Sequence, residues 1–158
     1  MIKKSLKTIL AVLGILGLLY FTVHVMESFQ YQSKARQQEA KGGLGVMYAY
    51  ATALKEKNHT YEMADISAFD YSLLGAKRRY SFWYSVNGVP TAIPLPSNGQ
   101  YITGLCDVTI PPATVSVASS RGGFTAAAKG NIDDDSTCDE WSINDARVLK
   151  HTLDDLHR

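Results

Sequence analysis

The densest set of oxygen donors in this 158-residue chain lies at Asn131, Asp133, Asp134, Asp135 and Asp139. Carboxylate and amide oxygens gathered in a flexible loop suit calcium, which takes about six to eight oxygen ligands at roughly 2.3 to 2.6 Å. Asn131, Asp133, Asp135 and Asp139 are the candidate ligands. Their spacing departs from an EF-hand loop, which has a glycine at its sixth position and a closing glutamate. The competing reading is a solvated turn whose aspartates bond their own backbone, and turn chemistry favours it. Cys106 and Cys138 are the only two cysteines. A bridge between them would close a loop of about thirty residues and contribute roughly 3 to 4 kcal/mol in the chain-entropy model. The alternative is a pair of free buried thiols. Two cysteines without nearby histidines fall short of a zinc set, and no Cys-x-x-Cys pair suggests redox chemistry.

Enzymatic chemistry finds little to work with. His24, His59, His151 and His157 are scattered between an apolar run, a helix end and the C-terminal tail. No serine or cysteine stands in a recognisable nucleophile context, and no glycine-rich phosphate loop occurs. A non-enzymatic protein is expected. Lys77, Arg78 and Arg79 form a short basic run that reads as a solvated face.

The elements that must position these residues begin with an apolar head. Residues 9–26, ILAVLGILGLLYFTVHVM, are eighteen residues without a formal charge. As a helix they rise about 27 Å at roughly 1.5 Å per residue, close to the hydrocarbon thickness of a bilayer. Ile9, Leu13, Leu16, Leu19, Phe21 and Val25 are the expected membrane and assembly surface of that helix. Lys3, Lys4 and Lys7 precede the run and Glu27 follows it, which places the N-terminus in the cytoplasm and the remainder across the membrane. A cleaved secretory signal is the alternative, but His24-Val25-Met26-Glu27-Ser28 offers no small-x-small cleavage site. The expected division is a stub and transmembrane helix over 1–28, a soluble half-helix over 29–57 and a globular part over 58–158.

The second half-helix contains no proline and places Leu44, Met47, Tyr48, Ala51 and Leu54 on one apolar stripe. Residues 30–41 are nearly all polar and read as a neck with little to pack against in its own monomer. Gly42, Gly43 and Gly45 sit where neck and stripe meet, and mark a bend, a close helix-to-sheet contact or a plain weak point. Tyr80, Phe82, Tyr84 and Val86 alternate on one face of a strand that ends at Asn87-Gly88, a hairpin turn signal. Residues 124–128 and 140–143 read as further strands, with 114–118 another candidate. All five prolines fall in residues 89–112, which suits an edge or surface excursion. Val148, Leu149, Leu153 and Leu156 suggest a closing helix. A long helix with one apolar stripe needs a partner, and a small antiparallel sheet supplies it, giving an α+β domain.

Charge separates the two halves. Residues 1–57 carry eight basic and three acidic side chains, a balance of +5, and residues 58–158 carry eight basic and twelve acidic, a balance of −4. The acidic body lacks the cationic face that nucleic-acid binding requires.

Phe29-Gln30-Tyr31-Gln32-Ser33-Lys34-Ala35-Arg36-Gln37-Gln38-Glu39-Ala40-Lys41 resembles the stretch just beyond the membrane segment in type IV pilins and the pseudopilins of type II secretion. Phe124-Thr125-Ala126-Ala127-Ala128-Lys129-Gly130-Asn131-Ile132-Asp133 and Asp139-Glu140-Trp141-Ser142-Ile143-Asn144 are similar to the last strands of deltaproteobacterial pilins. The resemblance implies a pilin-like fold, with the N-terminal helix in the inner membrane and then in a filament core, and the sheet domain displayed outward. Its implied partners are the lipid bilayer, pilin-like subunits and pilus assembly proteins, in adhesion, motility or secretion. It also raises the calcium reading, because major pseudopilins hold calcium in a loop between late strands. The chain departs from the pattern at three positions. Lys4 stands where the prepilin cleavage glycine belongs, Ser5 at the mature N-terminus and Ile9 at the helix glutamate that pairs with a neighbouring subunit's amine. An isoleucine cannot replace an ion pair in hydrocarbon, so the pattern favours an unprocessed, membrane-tethered relative over a major pilin. The alternative is a signal-anchored monomeric periplasmic binding domain that shares the fold without entering a filament.

Overall fold

The computed structural model describes residues 2–63, 69–102, 104–117, 122–133 and 135–155, with the backbone alone for residues 2–12, 26, 29, 30 and 71. Helix α1, Ile2–Asn58, is 57 residues long. It is built from strong helix formers with no proline, and Lys55 and Lys57 in its last turn complement the negative end of the helix dipole. It stops at His59, which enters the left-handed region with φ 59° while its N–H still bonds the Lys55 carbonyl at 3.0 Å. Two compact units divide the chain, Met1–Ala35 and Arg36–Arg158.

In the first unit the apolar side chains face outward. Leu13, Leu16, Leu19 and Phe21, four of the residues expected to meet a membrane or another subunit, are 56 to 66% exposed. Val25 is half-buried, and the Ile9 side chain lies outside the described residues. Among the described residues no helix is long and apolar enough to cross a membrane. Ile9 to Val12 and Met26, which complete the eighteen-residue apolar run, are not among the described side chains.

The second unit is an antiparallel sheet packed on the latter half of α1, so the α+β class holds. β1 (Lys77–Arg78) pairs in parallel with β4 (Gln100–Tyr101). The main sheet has five strands in the order β3-β2-β5-β6-β7, comprising β2 (Tyr80–Val86), β3 (Val89–Ala92), β5 (Phe124–Gly130), β6 (Asp139–Asn144) and β7 (Leu149–Leu153). Asn87 and Gly88 both take positive φ, 60° and 80°, the mirror-image turn that matches strand twist and sets Val86 opposite Val89. β3, which contains Pro90, is an edge strand, as the proline distribution requires.

The core lies between sheet and helix. Ala40, Leu44, Met47 and Ala51 from α1 meet Tyr80, Phe82, Tyr84, Phe124, Ala126 and Ala128 from the sheet, all buried. Phe124 gathers three rings, with Tyr84 stacked on it at 5.4 Å and Tyr61 and Tyr48 at 5.1 and 6.0 Å. Gly43 is the point of close approach. A Cβ there would stand 2.3 Å from Phe82 Cζ, whereas Gly42 and Gly45 face open space. The sheet's other face is covered too, because the 3-10 turn Ala113–Ser116, with Val115 fully buried, packs on β2, β3 and β5.

Four expectations are corrected. The segment after Asn144 is a strand: the turn through Arg147 (φ 59°) folds Leu149–Leu153 back onto β6, whose outer edge offers backbone partners that a helix would leave unpaired. Leu156 lies outside the described residues. The candidate strand at 114–118 is the 3-10 turn already described, with Ala118 outside the described residues. The polar neck packs against its own unit from Arg36 onward, by hydrogen bonds. Glu39 Oε1 accepts the backbone N–H groups of Arg79 and Tyr80 at 2.8 and 3.2 Å, Gln37 donates to Asp139 and the Arg36 guanidinium donates to the Ile132 carbonyl. Finally, the basic run is solvated only in part, with Lys77 exposed and Arg79 half-buried. Arg78 is fully buried, and its Nε donates to the Gly75 carbonyl at 2.7 Å.

Candidate functional site

The acidic segment connects β5 to β6. Its first residues form a ladder in which each side chain accepts the N–H two residues on: Asn131 from Asp133 at 3.2 Å, Asp133 from Asp135 at 3.4 Å and Asp135 from Thr137 at 2.6 Å. Asn131 also donates through Nδ2 to the Asp135 carbonyl. This is the local chemistry by which Asn and Asp shape turns. Asp134 lies outside the described residues.

The sequence set of Asn131, Asp133, Asp135 and Asp139 is divided by the fold. Asp139, fully buried at the start of β6, holds a separate polar network. Its Oδ2 accepts from the Tyr80 hydroxyl at 2.5 Å and Trp141 Nε1 at 2.6 Å, and its Oδ1 faces His151 Nε2 at 2.6 Å and Gln37 Nε2 at 3.2 Å. With the Asp155 N–H at 3.5 Å, five partners share the two oxygens, so little of Asp139 is left for a cation. His151, which the sequence placed in a tail, lies in β7 and stacks on Trp141 at 3.9 Å, with the Lys41 ammonium 4.6 Å from the centre of the Trp141 ring. Burial first, and then the Asp139 charge beside it, push the Tyr80 phenol up, so it remains a donor.

Asp155, and not Asp139, joins Asp133 and Asp135 in the loop cluster. Asp133, Asp135 and Asp155 each present a carboxylate oxygen within 4.8 Å of the others. Asp155 is 1% exposed, and its Oδ1 makes no hydrogen bond among the described residues. Among the described residues its Oδ2 meets only the Ile132 N–H, at 3.5 Å. Burial, followed by the charges of Asp133 and Asp135 among others, pushes the Asp155 carboxyl up to about 6. A buried carboxylate with an unpartnered oxygen, facing two more carboxylates, is an arrangement that a hard divalent cation satisfies. These residues fit calcium. Asp155 lies 20 residues beyond Asp135, so no spacing rule links it to the loop; the only sequence signal was the adjacent Asp154-Asp155 pair.

Cys106 and Cys138 are bridged, with S–S 2.09 Å and Cα–Cα 5.4 Å. The bridge ties the residue just before Asp139 to the proline-rich excursion and fixes the far end of the acidic segment. No family model, curated protein or solved structure matches this chain.

Proposed function

We propose that this chain is a pilin-like subunit or accessory of a pilus or secretion filament, anchored in the bacterial inner membrane with its N-terminus cytoplasmic and its sheet domain periplasmic, and structural rather than enzymatic. One observation carries the reading. A single helix has an apolar half whose Leu13, Ile15, Leu16, Leu18, Leu19, Tyr20, Phe21 and Val23 are all more than half exposed, and another half that packs on an antiparallel sheet. A helix apolar on every side is stable only where something apolar surrounds it, and lipid and neighbouring helices are the two ordinary surroundings. The disulfide fits an oxidising compartment outside the cytoplasm.

Sheared surface filaments contain this chain if it is a subunit, and N-terminal sequencing of that material reads whether Met1 or a processed residue leads. Recovery only in the inner-membrane fraction would sink the filament subunit and favour a tethered accessory; the second reading is an anchored monomeric binding domain. Lys4, Ser5 and Ile9 at the cleavage and pairing positions favour an unprocessed, membrane-tethered pilin-like protein over a major pilin.

We propose further that Asp133, Asp135 and Asp155 hold calcium, which would neutralise their mutual repulsion. The expected outcome is a higher melting temperature of the full-length chain in millimolar calcium than in chelator; an unchanged value would remove the site.

A further inference from the structure

We propose that Asp155 makes the cation site a clasp, fastening edge strand β7 to the loop between β5 and β6 and, through that loop, to helix α1. The inference rests on the calcium reading above and adds what the cation does to the fold.

Asp133 and Asp135 belong to one short loop, so a cation held by these two alone would stiffen that loop and nothing else. Asp155 comes from another part of the chain, two residues past the end of β7. Its contacts with the rest of the unit are weak where they should be strongest. Its own N–H reaches Asp139 Oδ1 at 3.5 Å and its Oδ2 receives the Ile132 N–H at 3.5 Å, both at the limit of a hydrogen bond, while Oδ1 is buried with no partner among the described residues. The loop is already secured on its other side, because the Ile132 carbonyl accepts from the Arg36 guanidinium on α1. A cation shared by Asp133, Asp135 and Asp155 would therefore complete a connection from helix to loop to strand.

The strand that gains from it is one of the two edge strands of the sheet. β7 pairs only with β6, no residue of it is fully buried, and its register slips between Glu140 and Trp141. Edge elements with few buried apolar contacts open first, so a fastener placed at the end of β7 acts on the step of lowest free energy. Asp133 and Asp135 are also free to serve. Each uses Oδ1 to accept a backbone N–H, and Oδ2 of each makes no hydrogen bond with a described residue.

The test is amide hydrogen exchange of the full-length chain in detergent micelles, in calcium and in chelator, with calorimetric titration of calcium on the same sample. With calcium at about ten times its Kd, exchange at residues 149–153 is expected to slow about tenfold, while amides in the centre of β2 and β5 change less. Asp155→Asn is expected to abolish that protection. If calcium binds and β7 exchange does not change, the clasp is overturned and the cation reading stands. If no heat of binding appears at millimolar calcium, both fall. Wild-type affinity and protection in Asp155→Asn would overturn the role of Asp155. Should that variant fail to fold, Asp133→Asn, which leaves Asp155 in place, carries the test: it must lose the protection of β7 as well as the affinity.

Discussion

The two halves of α1 share one backbone conformation and opposite surroundings. Ala40, Leu44, Met47 and Ala51 are fully buried under the sheet, whereas Leu18, Tyr20 and Phe21 are 66 to 69% exposed. Helix formers run through both halves, leucine in the earlier one and alanine, lysine and glutamine in the later one. Burial separates them. Only the later half confines its apolar residues to one stripe, so only that half can be satisfied by one sheet face. The earlier half is apolar on all sides, and one face of one partner could not cover it. The contrast says that this chain supplies the partner for one end of its helix; the function proposed above gives the other end to a bilayer or to other subunits.

Substitutions at the two ends should therefore part company. Phe82→Ala removes the ring against Gly43 and should cost the sheet unit about 3 to 5 kcal/mol, read from denaturant midpoints; Leu18→Ala should change the same midpoint by less than about 0.5 kcal/mol. An equal loss at both positions would break the comparison. Replacing Cys106 and Cys138 by alanine should destabilise the sheet unit by about 3 kcal/mol and leave the first unit's helicity unchanged. Leu18→Lys should reverse the pattern, with no effect on the sheet unit and an insertion penalty of about 2.5 to 3.5 kcal/mol, seen as a lower membrane-bound fraction in vesicle flotation. Glu39→Ala sharpens the boundary, because it leaves the Arg79 and Tyr80 N–H groups without their acceptor in a part-buried place. A loss of about 1 to 3 kcal/mol is expected, which would assign the polar neck to the sheet unit.

Asp155 adds a pH dependence. The Asp155 carboxyl stands near 6 against an ordinary 3.8, raised by burial and then by Asp133. A carboxyl with a raised folded value stabilises the fold fully below its unfolded value and loses that contribution as pH rises through the folded one. In chelator, stability should fall between about pH 4 and 6 more steeply in the wild type than in Asp155→Asn. Parallel profiles would show that the Asp155 carboxyl is not raised.

Much of the sheet was legible before any tertiary contact was known. The alternation of Tyr80, Phe82, Tyr84 and Val86 and the Asn87-Gly88 turn are local signals, and β2 and its hairpin follow them. β7 was not legible, because Val148, Leu149 and Leu153 fit a helix as readily as a strand until the open edge of β6 selects between them. The burial of Arg78 and the packing of the neck were missed for a related reason. Polar residues look solvated in sequence, yet Gln37, Glu39 and Arg78 are held inside by backbone groups and side chains distant along the chain.

The acidic site combines the two kinds of information. The Asn131, Asp133 and Asp135 ladder is local and could be read from residue types alone, because each side chain bonds a backbone two residues away. Which carboxylates face one another was decided only by the sheet. Pairing β6 with β7 brings His151 to Asp139 and turns that carboxylate inward, and the same pairing carries Asp155 to the loop. Sequence by itself determined the helix, its two apolar halves and the turn chemistry, since these depend on neighbours within a few residues. Tertiary structure decided the grouping of the charges, since a carboxylate's partners are set by distance in space.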